Sequence, residues 1–149
     1  MAEVGFYHLT ATPLDRALPK LLERTLQAGQ RAVVLAGSEE RVQALNGLLW
    51  TYEERSWLPH GAARDGFAGD QPIWLTTTQE NPNGAGFLFL TDGVAAADLA
   101  AWTRVFDLFD GRDDTAVAAA RARWKAARDA GHGLSYWRQT DRGGWEKAG

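Results

Sequence analysis

Cysteine is absent from the 149-residue chain, which excludes disulfides, thiolate metal sites and cysteine nucleophiles. Histidine is scarce. His8, His60 and His132 are scattered, and no two stand at the i, i+4 spacing of a helical ligand pair. No run approaches the roughly 20 apolar residues that span a bilayer. Met1-Ala2-Glu3-Val4-Gly5-Phe6 has no basic stretch leading into an apolar one, so no signal peptide is expected and the chain reads as cytoplasmic. Neither G-x-G-x-x-G nor G-x-x-x-x-G-K-[ST] occurs, so the glycine-rich cradle for phosphates is not encoded. A G-x-S-x-G elbow is also lacking, and Ser38, Ser56 and Ser135 have no identifiable base. Glu53-Glu54 with His60 reads more simply as a solvated turn beside a packed histidine than as an acid–base site. These absences leave no catalytic, cofactor or metal site to expect.

What is present is an ordinary soluble composition, 45% hydrophobic and 23% charged, with an excess of tryptophan: seven Trp against three Tyr and one Met. Trp buries a large area while often keeping one polar edge wet, so it serves cores and interfaces alike. The formal net charge of −3 argues against coating DNA or a membrane by bulk charge. It conceals an asymmetry. Residues 1–111 carry eight Lys/Arg and fourteen Asp/Glu, whereas residues 112–149 carry eight and five.

Along the chain, Val4–Leu9 reads as a first strand, followed by a helix over Leu14–Ala28 with Thr12 as N-cap, Pro19 as a kink or a late start and Gly29 as the stop. Arg31–Ala36 is the continuous apolar run of a strand buried on both faces. Ser38 then caps a helix running to Trp50. Residues 51–71 read as irregular. Pro72–Thr77, Gly86–Leu90, Arg104–Phe109 and Leu134–Trp137 read as strands, Val94–Trp102 as a short helix, and Asp113–Ala130 as an alanine-rich helix ended by Gly131. The order predicts one α/β domain over residues 1–140, with 141–149 as a fraying tail.

Two groups of residues suit binding. Arg121, Trp124, Lys125 and Arg128 stand at i, i+3, i+4 and i+7, sharing one helical face. Three cations around an indole fit a peptide with carboxylates and an apolar side chain. Val117, Ala120, Trp124 and Ala127 also make a stripe, so Trp124 reads equally as core. The second group is Leu48-Leu49-Trp50-Thr51-Tyr52 followed by Trp57-Leu58-Pro59-His60, where the aromatics either meet a partner or pin an irregular segment. On the residues alone two further readings stay open: a small α/β enzyme with an unrecognised nucleotide or metal site, and a direct single-stranded nucleic-acid binder stacking bases on Trp124.

Together these segments resemble the chi subunit family of bacterial DNA polymerase III, an accessory component of the clamp loader. The resemblance is carried by Phe6-Tyr7, Gly29-Gln30-Arg31-Ala32-Val33-Val34, Leu48-Leu49-Trp50, Trp57-Leu58-Pro59-His60-Gly61 and Ala120-Arg121-Ala122-Arg123-Trp124-Lys125, in order over nearly the whole chain. It implies a three-layer Rossmann-like α/β fold with a mostly parallel, mixed sheet and no nucleotide-binding loop. It also implies a non-catalytic adaptor at the replisome with two partners. The acidic C-terminal tail of single-stranded-DNA-binding protein would meet Arg121, Trp124, Lys125 and Arg128. The psi subunit of the clamp loader would meet Trp50, Trp57, Pro59 and His60. Two positions depart from the pattern: Trp124 stands where the family often has Tyr, and Val117 where a further cation can occur.

Overall fold

The computed structural model describes residues 2–51, 60–63 and 65–148. Among these residues the elements run β1 (Glu3–Leu9), α1 (Leu14–Gln27), β2 (Ala32–Leu35), α2 (Glu39–Thr51), β3 (His60–Ala62), β4 (Ile73–Thr76), β5 (Phe87–Leu90), β6 (Arg104–Asp110), α3 (Asp114–Asp129), β7 (Gly133–Gln139) and β8 (Trp145–Lys147). The strands form one sheet in the order β3-β4-β2-β5-β6-β1-β7-β8. Every adjacent pair is parallel except β7 with β8. This is the mixed, mostly parallel α/β architecture expected from the sequence.

Strand periodicity builds two cores from the same strands, because successive side chains point to opposite faces. Tyr7, Leu9, Ala32, Val34, Phe106 and Leu108 meet the apolar stripes of α1 and α2. Val4, Phe6, Val33, Leu35, Val105 and Phe109 face the other way, toward α3. Three layers result, with α1 and α2 on one face and α3 on the other. Helices start and stop where residue chemistry requires. Ser38 Oγ accepts from Arg41 N at 3.2 Å, and Asp113 accepts from the amides of Thr115 and Ala116. Gly29 and Gly131 follow α1 and α3 at φ of 74° and 86°, left-handed positions that glycine takes without steric cost.

Four local expectations are corrected. The N-cap of α1 is Pro13 rather than Thr12, and the helix begins at Leu14 with Pro19 inside it, so Pro19 does not delay its start. Thr12 is otherwise engaged, since its Oγ1 accepts from Gln139 Nε2 at 2.6 Å. The helix expected over Val94–Trp102 shrinks to a single 3-10 turn, Leu99–Ala101. The Gln79 amide donates to Ala95 O and accepts from Ala97 N, so extended backbone there finds its partners outside a helix. The segment expected to be irregular contains β3, added in parallel to the edge of β4. The polar end expected to fray contains β8, whose residues Trp145, Glu146 and Lys147 pair with Gln139, Arg138 and Trp137.

Candidate functional site

The connections divide at the carboxyl ends of β1 and β6: β1 leads through α1 to one side of the sheet, β6 through α3 to the other. Open α/β sheets usually bind nucleotides in the crevice at such a switch point. A crevice of about 520 Å³ is present there, but its chemistry is unlike a phosphate site. The backbone amides of Thr10, Ala11 and Thr12, at the end of β1, all donate to Gln139 Oε1, at 3.2, 2.9 and 2.9 Å. A buried side-chain carbonyl thus stands where a phosphate loop would aim its amides at a ligand. Two carboxylates of the crevice have internal partners as well. Asp92 pairs with Arg41 at 3.1 Å and accepts from Gly37 N, while Asp113 caps α3. Among the described residues, no three His, Asp or Glu side chains are grouped as metal ligands, and no helix is long and apolar enough to cross a membrane.

The α3 face offers a different arrangement. Ala120 and Ala127 are the helix residues buried against the sheet, and small side chains leave space beside them. That space is a groove of about 230 Å³. Its walls are Val117, Arg121 and Trp124 of α3, with Phe6 and His8 of β1 and Tyr136 of β7. Trp124 meets the Phe6 ring edge-on at 5.2 Å and Tyr136 at 6.3 Å. It is therefore both a support of the core and a wall of the groove, so the two readings of this residue are not exclusive. Arg121, Lys125 and Arg128 are exposed around it, with Arg121 and Arg128 about 10 Å apart along the axis. Arg128 lies 3.7 Å from Asp129, both in solvent, a pair that contributes little.

Tyr136 and His8 were not singled out by sequence reasoning, yet both shape the groove. His8 Nε2 faces the Gly111 carbonyl at 3.4 Å, and its Nδ1 is hydrogen-bonded to the Tyr136 hydroxyl. Burial pushes the Tyr136 hydroxyl above its ordinary range, against the lowering effect of Arg138 and Arg121. The period-2 pattern of β7 was the available signal, because it places Leu134 and Tyr136 on the α3 side.

Arg123, two residues beyond Arg121, faces inward. Its Nε and Nη2 donate to the two oxygens of Asp107 at 2.7 and 3.0 Å. Asp107 is only 2% exposed. Burial raises its carboxyl pKa, and the Arg123 guanidinium opposes that rise. This bidentate pair anchors α3 to β6 and so fixes which cations the helix turns outward.

The second group divides. Trp50, at the end of α2, is 55% exposed. His60 is 3% exposed, and its Nε2 lies 3.1 Å from Asn46 O. Its ring lies 4.4 Å from the Trp50 ring. His60 is thus buried behind the Trp50 ring and supports it. Trp57 and Pro59 lie outside the described residues. Of the other tryptophans, Trp74 is buried and Trp102 packs half-buried against the α3-side core.

A family model described as DNA polymerase III chi subunit, HolC, matches residues 1–135. The chain is 30% identical over 90 residues to the probable DNA polymerase III subunit chi of Rickettsia prowazekii (strain Madrid E), covering 60% of this chain and 54% of that protein. It is 29% identical over 110 residues to the DNA polymerase III subunit chi of Escherichia coli (strain K12), covering 73% of this chain and 74% of that one. The match thus spans about half the length of the Rickettsia relative and about three quarters of the Escherichia one.

Proposed function

The chain belongs to the DNA polymerase III chi subunit family, and from that membership we propose that it is a non-catalytic adaptor whose α3 face holds the acidic C-terminal tail of single-stranded-DNA-binding protein. The family's description as a DNA polymerase III subunit supports work within a polymerase complex. The finer reading rests on one observation: an apolar groove walled by Trp124, Phe6, Tyr136 and the cation Arg121, with Lys125 and Arg128 exposed further along the same helix. Carboxylates of an extended acidic tail meet the cations, where Arg binds in bidentate fashion, and an apolar side chain fills the groove. Val117, standing where another cation can occur, supplies apolar wall to that groove, which shifts recognition toward its apolar part.

The contact is with a protein tail, in keeping with a net charge of −3. On the same reading, the psi subunit of the clamp loader docks at the α2 end. Trp50 provides exposed aromatic area there, His60 holds its ring, and Trp57 and Pro59 complete the sequence motif.

The test is a calorimetric titration with a peptide matching the C-terminus of the same organism's single-stranded-DNA-binding protein. Saturable binding is expected, weakening as salt rises because exposed charge pairs are screened. Lys125→Ala is expected to weaken it about tenfold, the scale of one charge-assisted hydrogen bond, with an unchanged melting temperature. Affinity independent of both Lys125 and salt contradicts the reading.

A further inference from the structure

The sheet is eight strands wide, and β7 and β8 extend past α1 on the face that α1 and α2 cover. Trp137 and Trp145 share that face, because Trp137 opposes Lys147 and Gln139 opposes Trp145 in register. They end a run of rings across adjacent strands: Phe89 on Phe106 at 4.3 Å, Phe106 on Tyr7 at 5.4 Å, and Tyr7 on Trp137 at 6.0 Å with planes within 8°. Trp145 meets Tyr7 edge-on at 5.0 Å. Both indoles are half-buried, leaving ring surface open to solvent. Neither lies within the residues matched by the family model, which end at 135.

Cations border these rings. Arg16, Lys20 and Arg24 stand at i, i+4 and i+8 on the exposed side of α1, spanning about 12 Å. With Arg142 from the β7–β8 turn they line a groove of about 610 Å³ in which Asp15 is the one carboxylate, with Trp145 in its wall. A second groove of about 270 Å³ adjoins it through Leu21, Arg24 and Trp145. Arg104 is in that one, over the Phe106 ring at 4.6 Å and donating to the Tyr7 hydroxyl at 3.2 Å. Among the described residues Arg16, Lys20, Arg24 and Arg142 make no ion pair. Glu23, also on α1, already has a partner of its own.

We propose that this α1–β8 groove is a binding site for single-stranded nucleic acid, distinct from the α3 face on the opposite side of the sheet. A row of unpaired cations beside partly open indole rings is the arrangement that tracks a phosphate backbone while bases stack on aromatic surface. Charge complementarity favours a polyanion, and two neighbouring, partly open indole rings on one face offer flat bases a stacking surface. The overall net charge does not oppose this, since binding depends on the local row of cations.

The experiment is fluorescence anisotropy of a labelled oligo-dT of about 15 nucleotides with the full chain, at low and moderate salt. Saturable binding is expected. The double variant Lys20→Glu/Arg24→Glu is expected to bind at least tenfold more weakly, with the salt slope reduced by about 0.7 for each phosphate no longer neutralised. Trp145→Ala should weaken binding, and Trp145→Phe should largely restore it, because a ring surface returns. Arg121→Ala should bind oligo-dT as the natural chain does. The proposal is overturned by an absence of saturable binding, by full binding in the folded double variant, by loss of oligo-dT binding in Arg121→Ala, or by a poly-Glu peptide binding in this groove while oligo-dT does not. The acidic-tail titration reads the other face, so each outcome is independent of it.

Discussion

On one face of the sheet, α1 buries Ala17, Leu18, Pro19, Leu21, Leu22 and Thr25; on the other, α3 is longer by two residues yet buries only Ala120 and Ala127. The first helix is held by apolar area. Each fully buried leucine contributes about 1.5–3 kcal/mol, so its outer side is free to carry Arg16, Lys20 and Arg24 without structural duty. The second helix has little such area and is tied down by the Arg123–Asp107 pair and by Trp124 resting on Phe6. Methyl-sized side chains against the sheet leave the groove beside them. The thin packing under α3 thus opens an apolar groove on that face.

The contrast between the two helices can be tested at their anchors. Asp107→Ala leaves the inward Arg123 without its partner, and breaking a buried pair costs about 3–5 kcal/mol, to be read as a loss in thermal or urea unfolding. A cost below about 1 kcal/mol would show that α3 is held by apolar contact after all. Leu22→Ala on α1 is expected to lose about 2–5 kcal/mol, whereas Ala127→Gly on α3 should lose only about 1. Equal losses would erase the contrast between the faces.

Gln139→Ala removes the acceptor shared by the amides of residues 10–12. It is expected to cost about 1–3 kcal/mol and to increase amide hydrogen exchange at those three positions. Unchanged exchange would mean that the loop is held otherwise. Smallest of all, Arg121→Ala should move stability by no more than about 0.5 kcal/mol, as for an exposed residue without structural partners.

Much of the fold was legible because its local chemistry is unambiguous. The run Ala32–Leu35 is apolar on both faces, and Asp113, Ser38, Gly29 and Gly131 mark helix ends by mechanisms that act within a few residues. The misses share a cause, a distant partner. His60-Gly61-Ala62 has no strand pattern and becomes β3 because the edge of β4 offers hydrogen bonds. Trp145–Lys147 becomes β8 against β7 in the same way. Residues 95–97 stay extended because Gln79 reaches them.

At the candidate site, helical spacing correctly put Arg121, Lys125 and Arg128 outward with Trp124 between them, since the 3.6-residue period is local. The far wall, His8 and Tyr136, comes from strands 128 positions apart in sequence, which no local pattern joins. The inward turn of Arg123 likewise depends on Asp107, sixteen residues earlier. Trp137 and Trp145 had no assignment from sequence, and the register of β7 with β8 places them together opposite the α3 face.

The most direct measurement is a paired titration of an acidic C-terminal tail peptide against the natural chain and Arg121→Ala, with melting temperatures recorded for both. Saturable binding to the natural chain is expected, with affinity about tenfold or more weaker in Arg121→Ala, on the scale of one charge-assisted hydrogen bond, and coincident melting curves. Equal affinity for the two proteins, or a weaker affinity accompanied by a large fall in melting temperature, would refute the assignment of the α3 face.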